Sequence, residues 1–349
     1  MTPQLDIAYT TMVAELLERT LDAQFDADFD ESGLFRLRPV DGRNYWYFKP
    51  SERGTAKAKD IYVGPADDSQ IAQRVENFAR IKDDFKRRRK IVSTLTRDAR
   101  LFSPEARVGN VVEALWKAGL FRVRACLVGT IAYQTYGTVL GYRMAGAALQ
   151  TGDIDIAQFH SVSVAVDDSI PPILDVLKTV DEGFQPIPQL GDQHGASKFQ
   201  TTGGLRVEFL TPNRGSDDYS GKSAKLPALG GASATPLRFL DFLIHEPVRT
   251  VMLHKGGIPV LVPDAARYAV HKLIVAARRR PGEGKADKDL RQAYNLARAL
   301  SATGRLEDLR EVYEEARSRG PQWREAIDAS LKRLSALGVT DFEVLKSSR

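Results

Sequence analysis

The chain has 349 residues, 43% of them hydrophobic and 27% charged, with a formal net charge of +5 and one cysteine, Cys126. This length exceeds one ordinary hydrophobic core and predicts two or three domains, while the lone cysteine excludes a disulfide within the chain. No apolar run approaches the roughly 18 residues of a membrane-spanning helix, and the first residues lack the basic flank and apolar stretch of a signal peptide, so we expect a cytoplasmic protein without a membrane partner.

The first part of the chain, residues 1–100, predicts two helices. Apolar residues at helical spacing extend from about residue 5 to 23, and a long polar helix is expected from 67 to about 97. A run of five basic residues, 86–90, is expected at the end of a helix. Such a run is as readily a solvated helix face, or a partner of the C-terminal helix dipole, as a binding surface.

Between these two helices the sequence predicts a β-hairpin. Its strands are residues 43–49 and 57–63, and its turn lies near Arg53 and Gly54. Aromatic residues and lysines alternate along it, a pattern that could stack bases and bind phosphates. Half-buried strands select aromatic residues in any case, and exposed faces select lysine. The sequence therefore favours an ordinary structural hairpin over a nucleic-acid surface.

The second part, residues 103–245, alternates strands with helices. In chain order we expect a helix at 111–118, a strand at 123–128, a turn at Gly129 and Thr130 into a helix-like stretch, a strand at 151–156, a helix at 173–180 and a strand at 205–210. Residues 215–236 are rich in Gly, Ser, Ala and Pro and predict a loop. This order predicts a mixed sheet with helices on one or both faces.

Three acids on the expected strands point to metal chemistry. A strand directs alternate side chains to one face, so Asp153 and Asp155 project together while Ile154 and Ile156 pack into the core. Two neighbouring carboxylates repel each other unless a divalent cation lies between them, and hard oxygen ligands suit Mg²⁺ or Mn²⁺. Glu208 stands on the polar face of the later strand and supplies a third acid.

The third part, residues 262–349, is predicted to be helical. A helix begins at Pro263 and Asp264 and runs to the arginine cluster 278–280. Further helices are expected at about 286–302, 305–318 and 321–337, each with apolar residues at helical spacing.

The order of these parts resembles the nucleotidyltransferase-fold, or polymerase-beta-like, superfamily. That family has an apolar strand ending in Gly-Ser or Gly-Gly, a helix, an Asp-x-Asp strand and a later strand with a third acid. Residues from about 100 to 300 also look like an uncharacterised bacterial branch of it. The resemblance implies an α+β (mixed α/β) protein. Its catalytic domain, with a mixed sheet and helices, spans 103–245, between an N-terminal helix and β-hairpin extension and a C-terminal helical domain.

The resemblance also implies roles for individual residues. Gly129 and Thr130 match the nucleotide-binding turn, although Thr replaces the usual Ser or Gly and the gap to the acids is longer than usual. Asp153, Asp155 and Glu208 match the catalytic metal ligands. A lysine on the closing helix reaches the triphosphate in the resembled family. That role falls to Lys272, which is equally well explained as a surface lysine. Asp289 could face that lysine, but it is expected to cap or decorate its own helix.

The implied activity is a transfer of a nucleoside monophosphate from a nucleoside triphosphate, such as ATP, to a hydroxyl acceptor with release of pyrophosphate, and it depends on two Mg²⁺ or Mn²⁺ ions. Two alternatives stay open at this point. One is a toxin-type enzyme that modifies RNA or tRNA, and the other is a catalytically silent module that binds nucleotide or RNA. The sequence does not identify the acceptor, which could be RNA or protein.

Overall fold

Helices and a mixed β-sheet make up the protein, which confirms the expected fold class. The computed structural model describes residues 3–22, 33–40, 43–49, 60–147, 151–165, 169–188, 195–213, 223–279 and 284–337. None of the helices in these ranges is long and apolar enough to cross a membrane.

The N-terminal part combines two helices with a three-stranded antiparallel sheet. Its elements are α1 (Ile7–Asp22), β1 (Leu34–Val40), β2 (Arg43–Lys49), β3 (Ile61–Pro65) and α2 (Ser69–Arg97). The predicted pairing of β2 with β3 is confirmed, and β1, which was not predicted, adds a third strand beside β2. The expected turn near Arg53 and Gly54 lies outside the described residues.

The basic run of residues 86–90 is not at a helix end. It lies within α2, and Arg88 is buried at 1% exposure, where its Nε donates to Asp84 at 2.8 Å. Its other four residues are exposed. Burial of Arg88 is tolerated because a carboxylate one turn away neutralises it.

The central sheet is mixed, as expected. It contains β4 (Cys126–Val128), β5 (Asp153–Ala157), β8 (Arg206–Pro212), β10 (Ser233–Leu237) and β9 (Ala224–Lys225) in spatial order, with β6 (Gln185–Pro186) and β7 (Lys198–Gln200) joined through β8. Strands β5, β8 and β10 run parallel, whereas β4 is antiparallel to β5. Helices α3 (Ala106–Lys117), α4 (Gly129–Leu140), α5 (His160–Ala165), α6 (Ile173–Lys178) and α7 (Leu240–Leu243) connect these strands or flank the sheet.

The loop expected at 215–236 is wrong for its described part. Residues 223–236 contain β9, a 3₁₀ turn at Pro227–Leu229 and most of β10. Ser233 and Ala234 are completely buried in β10. Small residues fit there because β10 lies between two other strands of the sheet, so its composition resembles that of a linker although its environment is a core.

A hairpin and four helices follow in the described residues from 248 to 337. The hairpin pairs β11 (Val248–Met252) with β12 (Ile258–Val262), and the helices are α8 (Ala265–Arg278), α9 (Lys285–Ala302), α10 (Leu306–Ser318) and α11 (Pro321–Ala336). The predicted start of α8 is confirmed, because the Asp264 carboxylate accepts hydrogen bonds from the backbone N–H groups of Ala266 and Arg267.

One hydrophobic cluster extends from Val108 in α3 to Leu334 in α11. It includes the isoleucines of β5 and the buried faces of α8 and α9. The sheet and the C-terminal helices therefore share a core, in which α4 contacts both β5 and α9, and α7 contacts both β8 and α8.

Candidate active site

Two aspartates project from β5 into a cavity, while the isoleucines beside them are buried. Asp153 and Asp155 line the cavity, and Ile154 and Ile156 have no exposed surface. The two-residue period of a strand produces this alternation. The parallel register of β5 and β8 places Asp155 beside Glu208, so the three predicted acids lie on adjacent strands.

The Asp155 carboxylate is not neutralised by its neighbours. Among the described residues no donor forms a hydrogen bond or ion pair with it. Burial, followed by the charges of Glu208 and Asp153, raises the pKa of Asp155 to about 6, against the opposing effect of Lys272 and Lys288. Uncompensated carboxylate oxygens are the ligands that hard divalent cations prefer. Asp155 therefore fits a Mg²⁺ or Mn²⁺ ion, and Asp153, whose Oδ1 is 3.7 Å from a guanidinium nitrogen of Arg206, fits as a second ligand if it turns from that arginine.

Glu208 is engaged elsewhere in this structure. It lies opposite Lys198 of β7 in the antiparallel register, and its Oε1 is 3.0 Å from the Lys198 Nζ. It does not line the cavity. In the described part of the chain, no three Asp, Glu, His or Cys side chains are placed to hold one metal ion together. Glu208 can join the two aspartates around a metal only if it leaves Lys198.

The turn at Gly129 accepts no other residue without distortion. Gly129 has a φ of +63°, in the left-handed region, and a Cβ added there would lie 2.2 Å from the Asp155 Oδ2. The Tyr268 hydroxyl donates to the Gly129 carbonyl oxygen at 2.8 Å. The turn is thus fixed between the acidic strand and α8, with the N-terminal end of α4 facing the cavity.

Thr130, the second residue of this turn, accepts a hydrogen bond from a lysine that was not predicted as a site residue. The Lys288 Nζ on α9 donates to the Thr130 Oγ1 at 2.7 Å. Burial and the nearby charge of Lys272 lower the pKa of Lys288. A helix N-terminus already favours anions, and Lys288 adds a cation at the same point. Lys288 lies among alternating lysines and aspartates, which are typical of a solvated helix. The local sequence therefore did not identify it as a binding residue.

Lys272 is neither a surface lysine nor unpaired. It is 9% exposed, and its Nζ donates to the Asp289 Oδ1 at 2.6 Å. The Asp289 Oδ2 accepts from the Arg279 Nε at 3.2 Å. The expectation that Asp289 only caps or decorates its own helix is therefore wrong. Packing of α8 against α9 buries this carboxylate, and a buried charge must be paired.

The cavity between the sheet and the C-terminal helices has a volume of about 410 Å³. One part of its lining is apolar and includes Leu237, Leu240, Leu243 and Val275. Its charged lining residues are six cationic and three acidic side chains: Arg238, Lys272, Arg278, Arg279, Lys285 and Lys288, with Asp153, Asp155 and Asp289. The cationic excess suits a polyanion, and the apolar part suits a flat or hydrophobic group.

His271 also lines this cavity and was not assigned a role from the sequence. Burial, together with the charge of Lys272, lowers the pKa of His271 to about 3, so the ring is neutral at physiological pH. Its Nδ1 is buried and lacks a hydrogen-bond partner among the described residues. The neutral ring therefore adds no charge to the cavity.

Comparison with known proteins gives one match. A family model described as nucleotidyltransferase matches residues 106–318, which is more than half of the chain and includes every predicted site residue. No curated protein and no solved structure gives a significant match.

Proposed function

We propose a reaction for this chain, which belongs to the nucleotidyltransferase family. It transfers a nucleoside monophosphate from a nucleoside triphosphate to a hydroxyl group, and the reaction depends on a divalent cation. The observation that carries this proposal is the arrangement of charge in the cavity. Asp153 and Asp155 lie on the sheet side, while Lys272 and Lys288 come from the helical side. A triphosphate with a bound metal ion needs both kinds of charge.

The phosphates would bind where the positive groups converge. The N-terminal end of α4 begins at Gly129, and Lys288 is held there by Thr130. Lys272 lies nearby but already shares its charge with Asp289. Lys288 is therefore the main phosphate-binding lysine in this proposal, and Lys272 contributes a weaker, partly neutralised charge.

Asp153 and Asp155 would hold the divalent ion, with Glu208 as a third ligand or as the base. When bound, such an ion stabilises the negative charge that develops on the phosphate and activates the acceptor hydroxyl. The protein's own contribution is to orient the two aspartates through β5 and to keep Gly129 free of a side chain that would displace Asp155.

In the proposed reaction the acceptor oxygen attacks the α-phosphorus of the triphosphate. The bond between that phosphorus and the bridging oxygen to the β-phosphate breaks, and pyrophosphate leaves with the bonding electrons. The acceptor proton would pass to a carboxylate, for which Glu208 beside Asp155 is the candidate once its side chain turns from Lys198 into the cavity. The products are a nucleotidylated acceptor and pyrophosphate.

The test is pyrophosphate release from each nucleoside triphosphate with Mg²⁺ or Mn²⁺, with total RNA or lysate protein as acceptor. Asp155→Asn should lower the rate by at least about a hundredfold, because it removes a charge that no other residue replaces at that position. Asp175→Asn, which changes an exposed aspartate on α6, is the matched control and should retain the wild-type rate. Equal rates in all three proteins would contradict the proposal.

The same assay separates the two alternatives. A silent binding module would bind the triphosphate without metal-dependent release of pyrophosphate. When the triphosphate carries a label in its nucleoside monophosphate part, a toxin-type enzyme would transfer that label to RNA or tRNA, whereas label on protein or on a small molecule would assign a different acceptor class.

A further inference from the structure

Exposed cations form a line along the outer side of α2. We call this set of four residues the α2 stripe: Lys86, Arg87, Lys90 and Arg97. At 3.6 residues per turn they fall within about 100° of the helix circumference, and they extend over about 16 Å of its length. Arg89, the other exposed residue of the basic run, lies to one side of the stripe, and its guanidinium is 6.0 Å from the centroid of the Phe85 ring.

Acids do not neutralise this stripe. Only Lys86 is paired, with the Asp83 carboxylate at 3.0 Å, and both of these side chains are largely exposed. In the described part of the chain, the side chains of Arg87, Lys90 and Arg97 form no hydrogen bond and no ion pair. Four cations and one acid therefore leave three positive charges on the stripe without compensation.

The cations of the stripe repel one another. Lys90 is three residues from Arg87 and four residues from Lys86, and like charges at these spacings destabilise a helix. The helix dipole does not compensate this repulsion, because it acts within the last turn, whereas these three residues lie at least seven residues before the helix ends at Arg97. An anionic partner would remove the repulsion.

The apolar side of α2 is not available to a membrane. Val92 and Leu95 on that side are buried in a cluster with Val13 and Leu16 of α1. A helix that binds at a membrane surface inserts its apolar face beneath the headgroups, in addition to the attraction between its cations and anionic lipids. The α2 stripe offers charge alone. Charge alone suits a phosphate backbone, which needs no apolar face.

We propose that the α2 stripe binds the sugar-phosphate backbone of a polynucleotide. Nucleotides along one strand of a duplex rise about 3.4 Å each, so the stripe spans about five nucleotides and each of its four cations can meet a separate phosphate. Contacts to the backbone carry no sequence information, and the stripe therefore binds without preference for sequence. This binding is independent of the proposed transfer reaction, because it uses none of the residues of the cavity.

The experiment measures fluorescence anisotropy of a labelled single-stranded RNA of about 20 nucleotides and mixed sequence with the full chain, in EDTA and without triphosphate. Arg87→Gln/Lys90→Gln/Arg97→Gln should weaken binding at least tenfold at about 100 mM salt. This stripe variant should also reduce the slope of log K against log salt by about 2, which is about 0.7 for each phosphate that it no longer neutralises. Arg87→Lys/Arg97→Lys keeps both charges and should bind within about threefold of wild type.

The matched control is Arg249→Gln/Arg291→Gln/Lys332→Gln, which removes three exposed cations from β11, α9 and α11 and therefore the same net charge. It should bind within about threefold of wild type, and circular dichroism establishes that each variant is folded. The proposal is overturned if wild type does not bind at about 100 µM protein, if the control loses as much affinity as the stripe variant, or if the stripe variant keeps the wild-type salt slope. Sedimentation with vesicles that contain about 30% phosphatidylglycerol tests the other anionic surface. Retention of wild type on these vesicles without binding to RNA would assign the stripe to a membrane and would also overturn the proposal.

Discussion

Replacing Asp289 with asparagine should lower the free energy of unfolding by about 3 kcal/mol. The Asp289 side chain is 3% exposed and bonds to both Lys272 and Arg279. Arg279 is 34% exposed and can turn toward water, but the Lys272 side chain is only 11% exposed and would be left as a buried cation without its partner. Removal of one partner of a buried pair costs about 3 to 5 kcal/mol. Because Arg279 can become solvated when Asp289 is replaced, we expect a cost at the lower end of this range.

Asp287→Asn provides the matched control for this change. Asp287 lies two residues away on the same helix, is 64% exposed and pairs with Arg333 at 3.0 Å. An exposed pair contributes at most about 1 kcal/mol. The assay is urea-induced unfolding of wild type and both variants at pH 7.5 in EDTA, followed by circular dichroism.

A difference between the two variants of less than about 1 kcal/mol would refute the reasoning. It would show that Lys272 reaches water easily, and that the charge of Lys272 is available to a ligand without competition from Asp289. The slopes of the unfolding curves must be equal for this comparison, because a changed slope would report a change in the denatured state.

Three further predictions concern single residues of the cavity. Lys288→Ala should raise KM for the triphosphate about tenfold and change kcat less, since a phosphate-binding charge acts in ground and transition states alike. Saturation curves measure both constants, and an unchanged KM would mean that Lys288 serves only as a structural hydrogen-bond donor to Thr130. Gly129→Ala should retain the fold but lose at least tenfold in turnover. The left-handed backbone costs a residue with a Cβ about 1 to 2 kcal/mol, and this Cβ would clash with Asp155. Thermal melting and steady-state rates test this prediction, and a wild-type rate would contradict it. His271 has a pKa near 3 when folded and near 6.5 when unfolded, so the unfolded chain binds the extra proton, and this histidine alone lowers the free energy of unfolding by about 2 kcal/mol between pH 8 and pH 5. Unfolding across this range should show a smaller loss in His271→Gln, and the same loss in both proteins would argue against the assignment.

Elements defined by local patterns could be predicted from the sequence. The period of the apolar residues located α1 and the C-terminal helices within a few residues. The glycine turn followed by alternating aspartates identified the strand of Asp153 and Asp155, and the alternation of apolar and charged residues identified the strand of Glu208. These features depend on neighbouring residues alone, which is why they could be predicted.

Features that depend on distant contacts could not be predicted. Ser233 and Ala234 are buried because they belong to β10, a strand that pairs with β9 through these two residues and with β8 through the residues that follow them. Lys288 and Asp289 lie in a helix whose charged sequence indicates solvent, yet its packing against α8 directs both into the cavity. The pairing of Glu208 with Lys198 likewise requires the register of two strands, which no local pattern specifies.

Hydrogen bonds connect the two walls of the cavity, which are the sheet with the Gly129 turn on one side and the C-terminal helices on the other. These bonds affect how a nucleotide would reach the cavity. The Tyr268 hydroxyl and the Lys288 ammonium each connect a C-terminal helix to the Gly129 turn, and the Tyr136 hydroxyl donates to the Pro263 carbonyl oxygen at 2.9 Å. Separation of the walls would break all three bonds and open a shared hydrophobic core. We therefore expect a ligand to enter through the existing mouth of the cleft, without separation of these elements. Its affinity then loses little to conformational rearrangement, and its association follows a single kinetic step whose rate rises in proportion to ligand concentration.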